Sequence, residues 1–445
     1  MKKGIMAVLC LMLVIALLMA CNSQDEEEGH AAEGVDVSLE ESKEIELKTD
    51  PFALTVYAAG VSEEEFDERF RWALETEFPH ADFHYMTNTP GNAIGDVIAR
   101  GEIPDIIRID IPGLKTYSDF GILMDLNPLV EKFDYDLQRF NPSYMQDIIN
   151  AGQTGELFGL PVPPNFPRVL FYNIDLFDRF GEEYPTDGMN WDEVYELARK
   201  LSRTEGDVTY HGFVANLTSI TRDNQYSLPV MHPREDGLSD FDMWQKIFNN
   251  YLRFYQIPNN EIGDGVGSYA EPFNEGYAAM YSGQYNLYAP ISEEINWDMV
   301  SIPIDPDGPK RMGQRSPAYL TVTEQSEHKN EAFAAIMAML SDEVQMNDSL
   351  NGILPTITNP EVLAALGKGN PIYENKNMGA LSYYEPSDAP ERRSPDVVAV
   401  SDTAQTVLIR QKFHDAAKGL KDVNTALREA DEELRQMAEA ERMNQ

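Results

Sequence analysis

The chain has 445 residues, and 35 lysines and arginines stand against 75 aspartates and glutamates, a formal net charge of −40. Because affinity for a polyphosphate comes mostly from lysine and arginine, this balance argues strongly against a nucleic-acid-binding protein and against an anionic membrane surface as partner. The length predicts two or three domains, and 42% hydrophobic residues are ample for folded cores.

The N-terminus has the pattern of a secretory signal. Lys2 and Lys3 precede an unbroken apolar run from Ile5 to Ala20, which is short for a transmembrane helix. The run stops at Cys21, and Leu18-Met19-Ala20-Cys21 resembles a lipobox. We therefore predict a lipoprotein signal peptide over 1–20 and lipidation of Cys21. A cleaved soluble secretory protein and an uncleaved anchor are the alternatives.

Cysteine usage fits this interpretation. The two cysteines are Cys10, inside the predicted signal, and Cys21, so the mature chain keeps no thiol for a disulfide, a metal cluster or a nucleophile. Two or more acyl chains on Cys21 would hold the protein on the extracytoplasmic face of the cell membrane. The polar, acidic stretch that follows predicts a flexible tether over 21–50.

The next segments predict alternating strands and helices. A β-prone run spans Phe52–Tyr57, a capping-box spacing starts at Ser62, and an apolar helical stripe begins at Phe66. Residues 105–109 then have the pattern of a core strand. This alternation indicates an α/β lobe on a largely parallel sheet, where ligands lie beyond the carboxyl ends of the strands.

A second α/β alternation starts near 169–172 and includes a capping box at Asn190 and Glu193. Between the two alternations, 160–167 contains four prolines, which forbid a helix and favour an extended interlobe crossing. Apolar spacing predicts two later helices, near 332–340 and 423–437.

Several of these segments match a known sequence pattern in the same order. The most specific are Gly155–Pro161, Phe171–Phe177, Tyr184-Pro185 and Trp191–Leu201, and the weaker ones are Gly101–Ile107, Gly121–Leu126 and Phe273–Met280. Together they resemble extracellular solute-binding protein family 1, the sugar-type receptors of ATP-binding cassette (ABC) importers.

The resemblance implies a fold and a domain plan. It implies an α/β, two-lobed periplasmic-binding-protein-like fold of type II, each lobe a mostly parallel sheet with flanking helices. Three interlobe crossings are expected near 161–168, 299–304 and 350–356. The expected domains are an N-terminal lobe over 51–160 plus 304–350, a C-terminal lobe over 169–299 plus 356–445, and a first hinge crossing over 161–168.

The resemblance also implies a function without catalysis or a cofactor. We expect a monomeric receptor that closes on a mono- or oligosaccharide and delivers it to an ABC permease. Members of this family stack sugars on aromatic rings and bind the hydroxyls with carboxylates, amides and arginine. The expected ligand-binding positions are Tyr57, Ala59, Gly60, Asp110, Asn165, Phe166, Tyr226, Tyr285 and Arg315.

Tyr285 is the strongest of these candidates, because it stands where the family pattern places a tryptophan. For Tyr57, Phe166 and Tyr226, packing in a core or at its rim is an equal alternative. With few stacking platforms, specificity for a long glucan is doubtful.

Other chemistry is weakly indicated. His80 and His84 have metal-like spacing, but the surrounding sequence predicts a loop leading into a strand, where such a pair does not converge. A turn is a simpler interpretation of the segment 305–308 than a calcium loop. No Walker, HExxH, GxSxG or dinucleotide motif occurs. A glycosidase, and a receptor or sensor for a peptide, polyamine or other cation, remain as alternatives.

Overall fold

The computed structural model describes residues 45, 47–152, 155–266, 270–313 and 316–444. The predicted signal peptide, the predicted lipidation site Cys21, most of the predicted tether and Arg315 lie outside them. Glu46–Gln445 form one compact unit. None of the helices in the described ranges is long and apolar enough to cross a membrane.

The secondary structure is mixed α/β. The strands are β1 (Phe52–Ala58), β2 (Ala81–Met86), β3 (Ile106–Ile109), β4 (Leu160–Val162), β5 (Arg168–Asn173), β6 (Arg203–Glu205), β7 (Val208–Tyr210), β8 (Val214–Ala215), β9 (Met280–Gln284), β10 (Trp297–Ser301) and β11 (Ala318–Val322).

Helices flank these strands along the whole described chain. They are α1 (Glu63–Phe66), α2 (Trp72–Glu77), α3 (Ile94–Ala99), α4 (Leu114–Asp119), α5 (Asn127–Lys132), α6 (Pro142–Gly152), α7 (Ile174–Phe180), α8 (Trp191–Leu201), α9 (Leu217–Arg222), α10 (Phe241–Tyr255), α11 (Glu271–Asn274), α12 (Lys329–Met339), α13 (Asp342–Leu350), α14 (Pro360–Ala364), α15 (Asp402–Ala417) and α16 (Val423–Asn444). A π-helical turn, Asp67–Arg71, joins α1 to α2.

The local signals in the sequence explain several of these elements. Asn190 caps α8 by accepting hydrogen bonds from the amides of Asp192 and Glu193, and the Glu193 side chain bonds back to the Asn190 amide. Helix α8 buries its predicted apolar face. Ser62 likewise accepts from the amide of Glu65 and starts α1. The capping boxes therefore predicted where these two helices begin.

Two main sheets organise the chain. The first has the order β2-β1-β3-β11-β4 and the second has the order β10-β5-β9-β8, while β6 and β7 form a separate pair. We call the first sheet with its packed helices the first lobe, and the second sheet with its packed helices the second lobe. Each sheet is buried in its own apolar clusters, so each lobe has its own core.

The α/β class is confirmed, and the two main sheets are mixed. Strand β11 is antiparallel to β3 and β4, and β5 is antiparallel to both β10 and β9. In each described sheet a single strand therefore opposes the others. Those strands, β5 and β11, are the ones that the chain forms on arriving from the other sheet. A strand that runs parallel to its neighbour needs a crossover connection, usually a helix, that carries the chain back to the same end of the sheet. The chain enters β5 and β11 without such a helix, so both strands run antiparallel to their neighbours.

The crossings between the sheets lie close together. Residues 163–167 join β4 to β5 and include a cis Pro163–Pro164 bond. The Thr356 hydroxyl donates to the Pro161 carbonyl at 2.9 Å, which links the first crossing to the segment that follows α13. The Arg69 guanidinium donates to the Pro163 carbonyl at 2.9 Å and pairs with Asp348 on α13 at 2.8 Å. One buried guanidinium thus connects the first lobe to the crossings.

Candidate ligand-binding cleft

A cavity of about 560 Å³ lies between the two lobes, within the range of small-molecule sites. Both lobes supply polar groups to its wall. They include Asp110, Tyr144 and Asp147 from the first lobe, and Arg222, Asp223, Glu391, Arg392, Arg393, Asp402 and Arg410 from the second. The cavity therefore has the position expected for a ligand that contacts both lobes at once.

Asp110 lies where the chain leaves β3. Its carboxylate caps the following 3₁₀ turn, Ile111–Gly113, by accepting from the Gly113 amide at 2.9 Å. The side chain is half-buried and lines the cavity. A strand that ends in a capping aspartate places this carboxylate at the edge of the sheet, as the sequence led us to expect.

Asp147 on α6 is 2% exposed and is neutralised from two sides. The Arg392 guanidinium pairs with it at 2.5 Å across the lobes, and the Ser316 hydroxyl donates to its second oxygen. Nε of Arg392 is buried and has no hydrogen-bond partner among the described residues. Sequence reasoning missed this pair, because its members are far apart in the chain.

The second-lobe wall holds further charged groups. Arg222 at the end of α9 forms a bidentate pair with Asp223, with distances of 2.6 and 2.7 Å. Arg410 on α15 donates to the Thr218 hydroxyl at 3.0 Å, and no carboxylate of the described chain pairs with it. Asp402 is open to the cavity solvent, yet the surrounding protein atoms raise the pKa of its carboxyl. The wall can therefore donate and accept hydrogen bonds.

Asn165 connects the first crossing to the cavity wall. It is 2% exposed, and its amide donates to the hydroxyl of Tyr144, which lines the cavity, at 2.5 Å. Its Oδ1 is buried and accepts no hydrogen bond from the described residues. Leaving such an acceptor unsatisfied costs about 1–3 kcal/mol. Water or a ligand hydroxyl would remove that cost.

The loop after β1 lies beside Arg108, which the sequence reasoning missed. Arg108 on β3 donates to the Ala59 carbonyl at 3.2 Å. Gly60, with φ +77°, donates its amide to Asn88 at 2.9 Å, in a conformation that favours glycine. Tyr57 points into the core instead: it is 1% exposed and donates to the Asn92 carbonyl. The signal that could have identified Arg108 is its charge, because the rest of the run 106–109 is apolar.

Phe166 and Tyr288 lie together where the lobes meet. Their ring centroids are 6.0 Å apart at 55°. The Tyr288 hydroxyl donates to the Glu65 carboxylate of the first lobe at 2.8 Å. Tyr288 is 52% exposed, so an aromatic face is available to solvent beside the predicted residue Phe166. Stacking on a sugar needs such a surface.

The other two predicted aromatics are held by protein groups and do not line this cavity. Tyr226 donates to Asp305 at 2.5 Å, and burial together with this hydrogen bond raises its pKa to about 12. Tyr285 is 4% exposed and donates to the Gly352 carbonyl at 2.8 Å, and burial raises its pKa. The Tyr226 hydroxyl fixes packing inside the second lobe, and the Tyr285 hydroxyl fixes packing against the segment that follows α13.

The histidine and aspartate motifs form no metal site in the described ranges. His80 bonds to the Lys48 carbonyl at 2.7 Å, and no group of three histidine, cysteine, aspartate or glutamate side chains there could hold an ion. Asp305 accepts from the amide of Asp307 at 2.9 Å, and its carbonyl accepts from Gly308. The interpretation of 305–308 as a turn is confirmed.

Comparison with solved structures shows the fold. A sugar transporter from Rhizobium etli in an open conformation superposes with a TM-score of 0.66 at 19% identity, covering 86% of this chain and 99% of that chain. An ABC substrate-binding protein from Listeria monocytogenes in complex with cycloalternan gives 0.64 at 18%, covering 87% and 99%. A solute-binding protein from Thermotoga lettingae bound with α-D-tagatose gives 0.61 at 17%, covering 87% and 99%. The two-lobed fold class predicted from the sequence is confirmed.

The sequence itself matches a family profile. The profile described as bacterial extracellular solute-binding protein aligns with residues 64–346, which is more than half of the chain. This stretch includes the motifs at 155–161 and 171–177 on which the resemblance depends, and the predicted family is confirmed. The chain belongs to the bacterial extracellular solute-binding protein family.

Proposed function

We propose that the protein is a lipid-anchored extracytoplasmic receptor that captures a carbohydrate in the cleft between its lobes and delivers it to an ABC permease. The observation that carries the proposal is the 560 Å³ interlobe cavity. Its carboxylates, guanidiniums and hydroxyls are the groups that bind sugar hydroxyls. The solved structures that hold cycloalternan and tagatose have the same fold.

The proposed binding residues follow from the placement of these groups. Asp110 and Arg410 contact ligand from opposite walls, and Asn165 offers its free acceptor from the crossing. Phe166 and Tyr288 supply the apolar faces. The lobes move as bodies over 51–160 plus 304–350 and 169–299 plus 356–445, hinged at 161–168, and close on the ligand without transforming it.

Calorimetry of the purified protein against mono- and oligosaccharides, with a metabolite extract alongside, tests the proposal. We expect saturable heat from a carbohydrate, a smaller radius of gyration on binding, and unchanged sugar in the recovered ligand. Heat from the extract alone would show that the ligand is a solute other than the sugars tested. Release of a hydrolysed product at enzyme-like rates would replace the receptor with a glycosidase.

The anchor and the transport step need separate experiments. We propose that Cys21 carries the lipid, that 1–20 are removed, and that the receptor is a monomer. Metabolic labelling with an alkyne fatty acid should mark the wild type and not Cys21→Ala, and an unlabelled wild type would contradict anchoring. Uptake of the bound sugar should require both this protein and a permease.

A further inference from the structure

Arg108 is an unpaired cation on the first-lobe side of the cleft. It lies between Ile107 and Ile109, which are 0% and 1% exposed. Its single hydrogen bond among the described residues goes to the Ala59 carbonyl, and no described carboxylate lies within ion-pair distance of its guanidinium. The surrounding protein lowers the pKa of Arg108 through burial, so its charge is poorly compensated.

Two other enclosed arginines have carboxylate partners, and a third, Arg168, has none but donates to the Asp223 carbonyl and to two hydroxyls, where Arg108 makes one hydrogen bond. Arg69 pairs with Asp348 at 2.8 Å, and Arg392 pairs with Asp147 at 2.5 Å. A buried charge without a partner is costly, and it is kept mainly where function requires it. Arg108 therefore differs from the structural arginines around it.

Arg108 does not itself line the 560 Å³ cavity, but it lies near the first-lobe wall. Asp110, two residues along the chain, lines the cavity. Glu65 is close enough to act on Arg108 electrostatically, but its carboxylate already binds Arg69 and the Tyr288 hydroxyl. Neither acid forms an ion pair with Arg108. A negatively charged ligand group is thus the missing partner.

The opposite wall shows the same surplus of donors. Arg410 has no described carboxylate partner, and Nε of both Arg392 and Arg410 is buried without a hydrogen bond. Among the described polar atoms at the cleft, Oδ1 of Asn165 is the single buried acceptor left unsatisfied. Five described carboxylates and four described guanidiniums line the cavity, but Asp147, Asp223 and Glu391 already pair with arginines, and guanidiniums bind carboxylates in bidentate geometry. Neutral hydroxyls would satisfy these donors less well.

We infer that the ligand is an acidic carbohydrate, a uronic acid or an oligosaccharide that contains one, whose carboxylate binds Arg108. Arg410 on the opposite wall binds a second acceptor of the same ligand. This inference rests on the proposed function, since it specifies the class of carbohydrate.

Calorimetry on matched sugars tests this, with galacturonate against galactose, glucuronate against glucose, and acidic against neutral oligosaccharides of equal length. We expect the wild type to bind an acidic member at least roughly tenfold more tightly than its neutral counterpart. Arg108→Met should weaken the acid by roughly 10- to 100-fold and leave the neutral sugar nearly unchanged. Arg108→Lys should fall between, because it keeps the charge without the bidentate fork.

A stability measurement separates a binding role from a structural one. Removing an unpaired charge should leave the melting temperature of ligand-free Arg108→Met equal to or above that of the wild type. Arg199→Met is the matched control, an exposed arginine paired with Glu196 at 2.7 Å, and it should change neither quantity. If Arg108→Met fails to fold, Arg108→Lys and Arg410→Met carry the comparison.

Four results would overturn the inference. Neutral and acidic sugars could bind equally, or Arg108→Met could weaken both to the same extent; in either case the protein remains a carbohydrate receptor without an acid preference. Binding of sugar phosphates but not uronates would show that the anionic group of the ligand is a phosphate and not a carboxylate. Absence of binding to any carbohydrate would remove the proposed function as well.

Discussion

The hydroxyl of Tyr288, on the loop that follows β9, donates a 2.8 Å hydrogen bond to the carboxylate of Glu65 on α1. The two residues belong to different lobes, so this bond spans the cleft. Glu65 is itself held by Arg69 at 3.0 Å, and Arg69 reaches the Pro163 carbonyl of the first crossing. Consecutive hydrogen bonds therefore connect the contact between the lobes to the first crossing.

Tyr288→Phe removes that interlobe bond and keeps the ring. We expect a larger radius of gyration in small-angle scattering and a two- to tenfold loss of ligand affinity, because a hydrogen bond to a charged group contributes about 1.5–3 kcal/mol at most and this one is solvent-exposed. Tyr277→Phe, another exposed tyrosine of the same lobe, is the control. Unchanged scattering and affinity in Tyr288→Phe would mean that the contact does not hold the lobes.

Breaking the Arg69–Asp348 pair should destabilise the protein. Both side chains are buried, at 6% and 1% exposure, so Asp348→Asn leaves the guanidinium with the more exposed Glu65 as its remaining described carboxylate partner and should lower the free energy of unfolding by up to about 3–5 kcal/mol. Urea denaturation measures this. The double variant Arg69→Met/Asp348→Leu should recover part of the loss, whereas additive losses would show that the two residues act independently.

His211 should make the protein sensitive to mild acid. Burial lowers its pKa below the ordinary value of 6.5, so the unfolded chain takes up the proton first as pH falls. Stability that is present above pH 6.5 is therefore lost as the pH falls through the lowered pKa. His211→Gln should lose less stability than the wild type between pH 7 and pH 5.5. His84→Gln, at an exposed strand position, should behave like the wild type.

Salt should speed the capture of an acidic ligand. The net charge of −40 repels an anion at long range. Salt shortens the screening length of that repulsion from about 30 Å at 0.01 M to about 8 Å at 0.15 M. Stopped-flow fluorescence should show an association rate that rises several-fold over this range, with little change for a neutral sugar. A rate that falls with added salt would indicate an attractive field at the cleft.

Local patterns predicted the elements well and their arrangement less well. The capping box at Asn190 and the apolar stripe of α8 lie within a few residues of each other, so sequence alone defines that helix. Strand direction depends on the route by which the chain enters a sheet. Nothing near β5 or β11 records that route, so the sequence did not indicate which strands run antiparallel.

The candidate site was predictable where position along a strand decides it. Asp110 was found because it directly follows β3. Asp147 and Arg392 were missed, because pairing across the lobes leaves no regular spacing among so many charges. Tyr285 was chosen by its position in a motif, yet its hydroxyl binds the Gly352 carbonyl and its ring packs against Tyr373. Its packing could not be read from the motif alone.

The place of β11 between β3 and β4 also constrains how the chain can be assembled. Strand β4 pairs with β11, which is synthesised only after all four strands of the second sheet. Until then the growing chain holds two unpaired strand edges, on β3 and β4, of the kind that promotes aggregation. A translation product that ends before 318 would lack the strand that completes the first sheet, and we expect such fragments to be degraded or to aggregate.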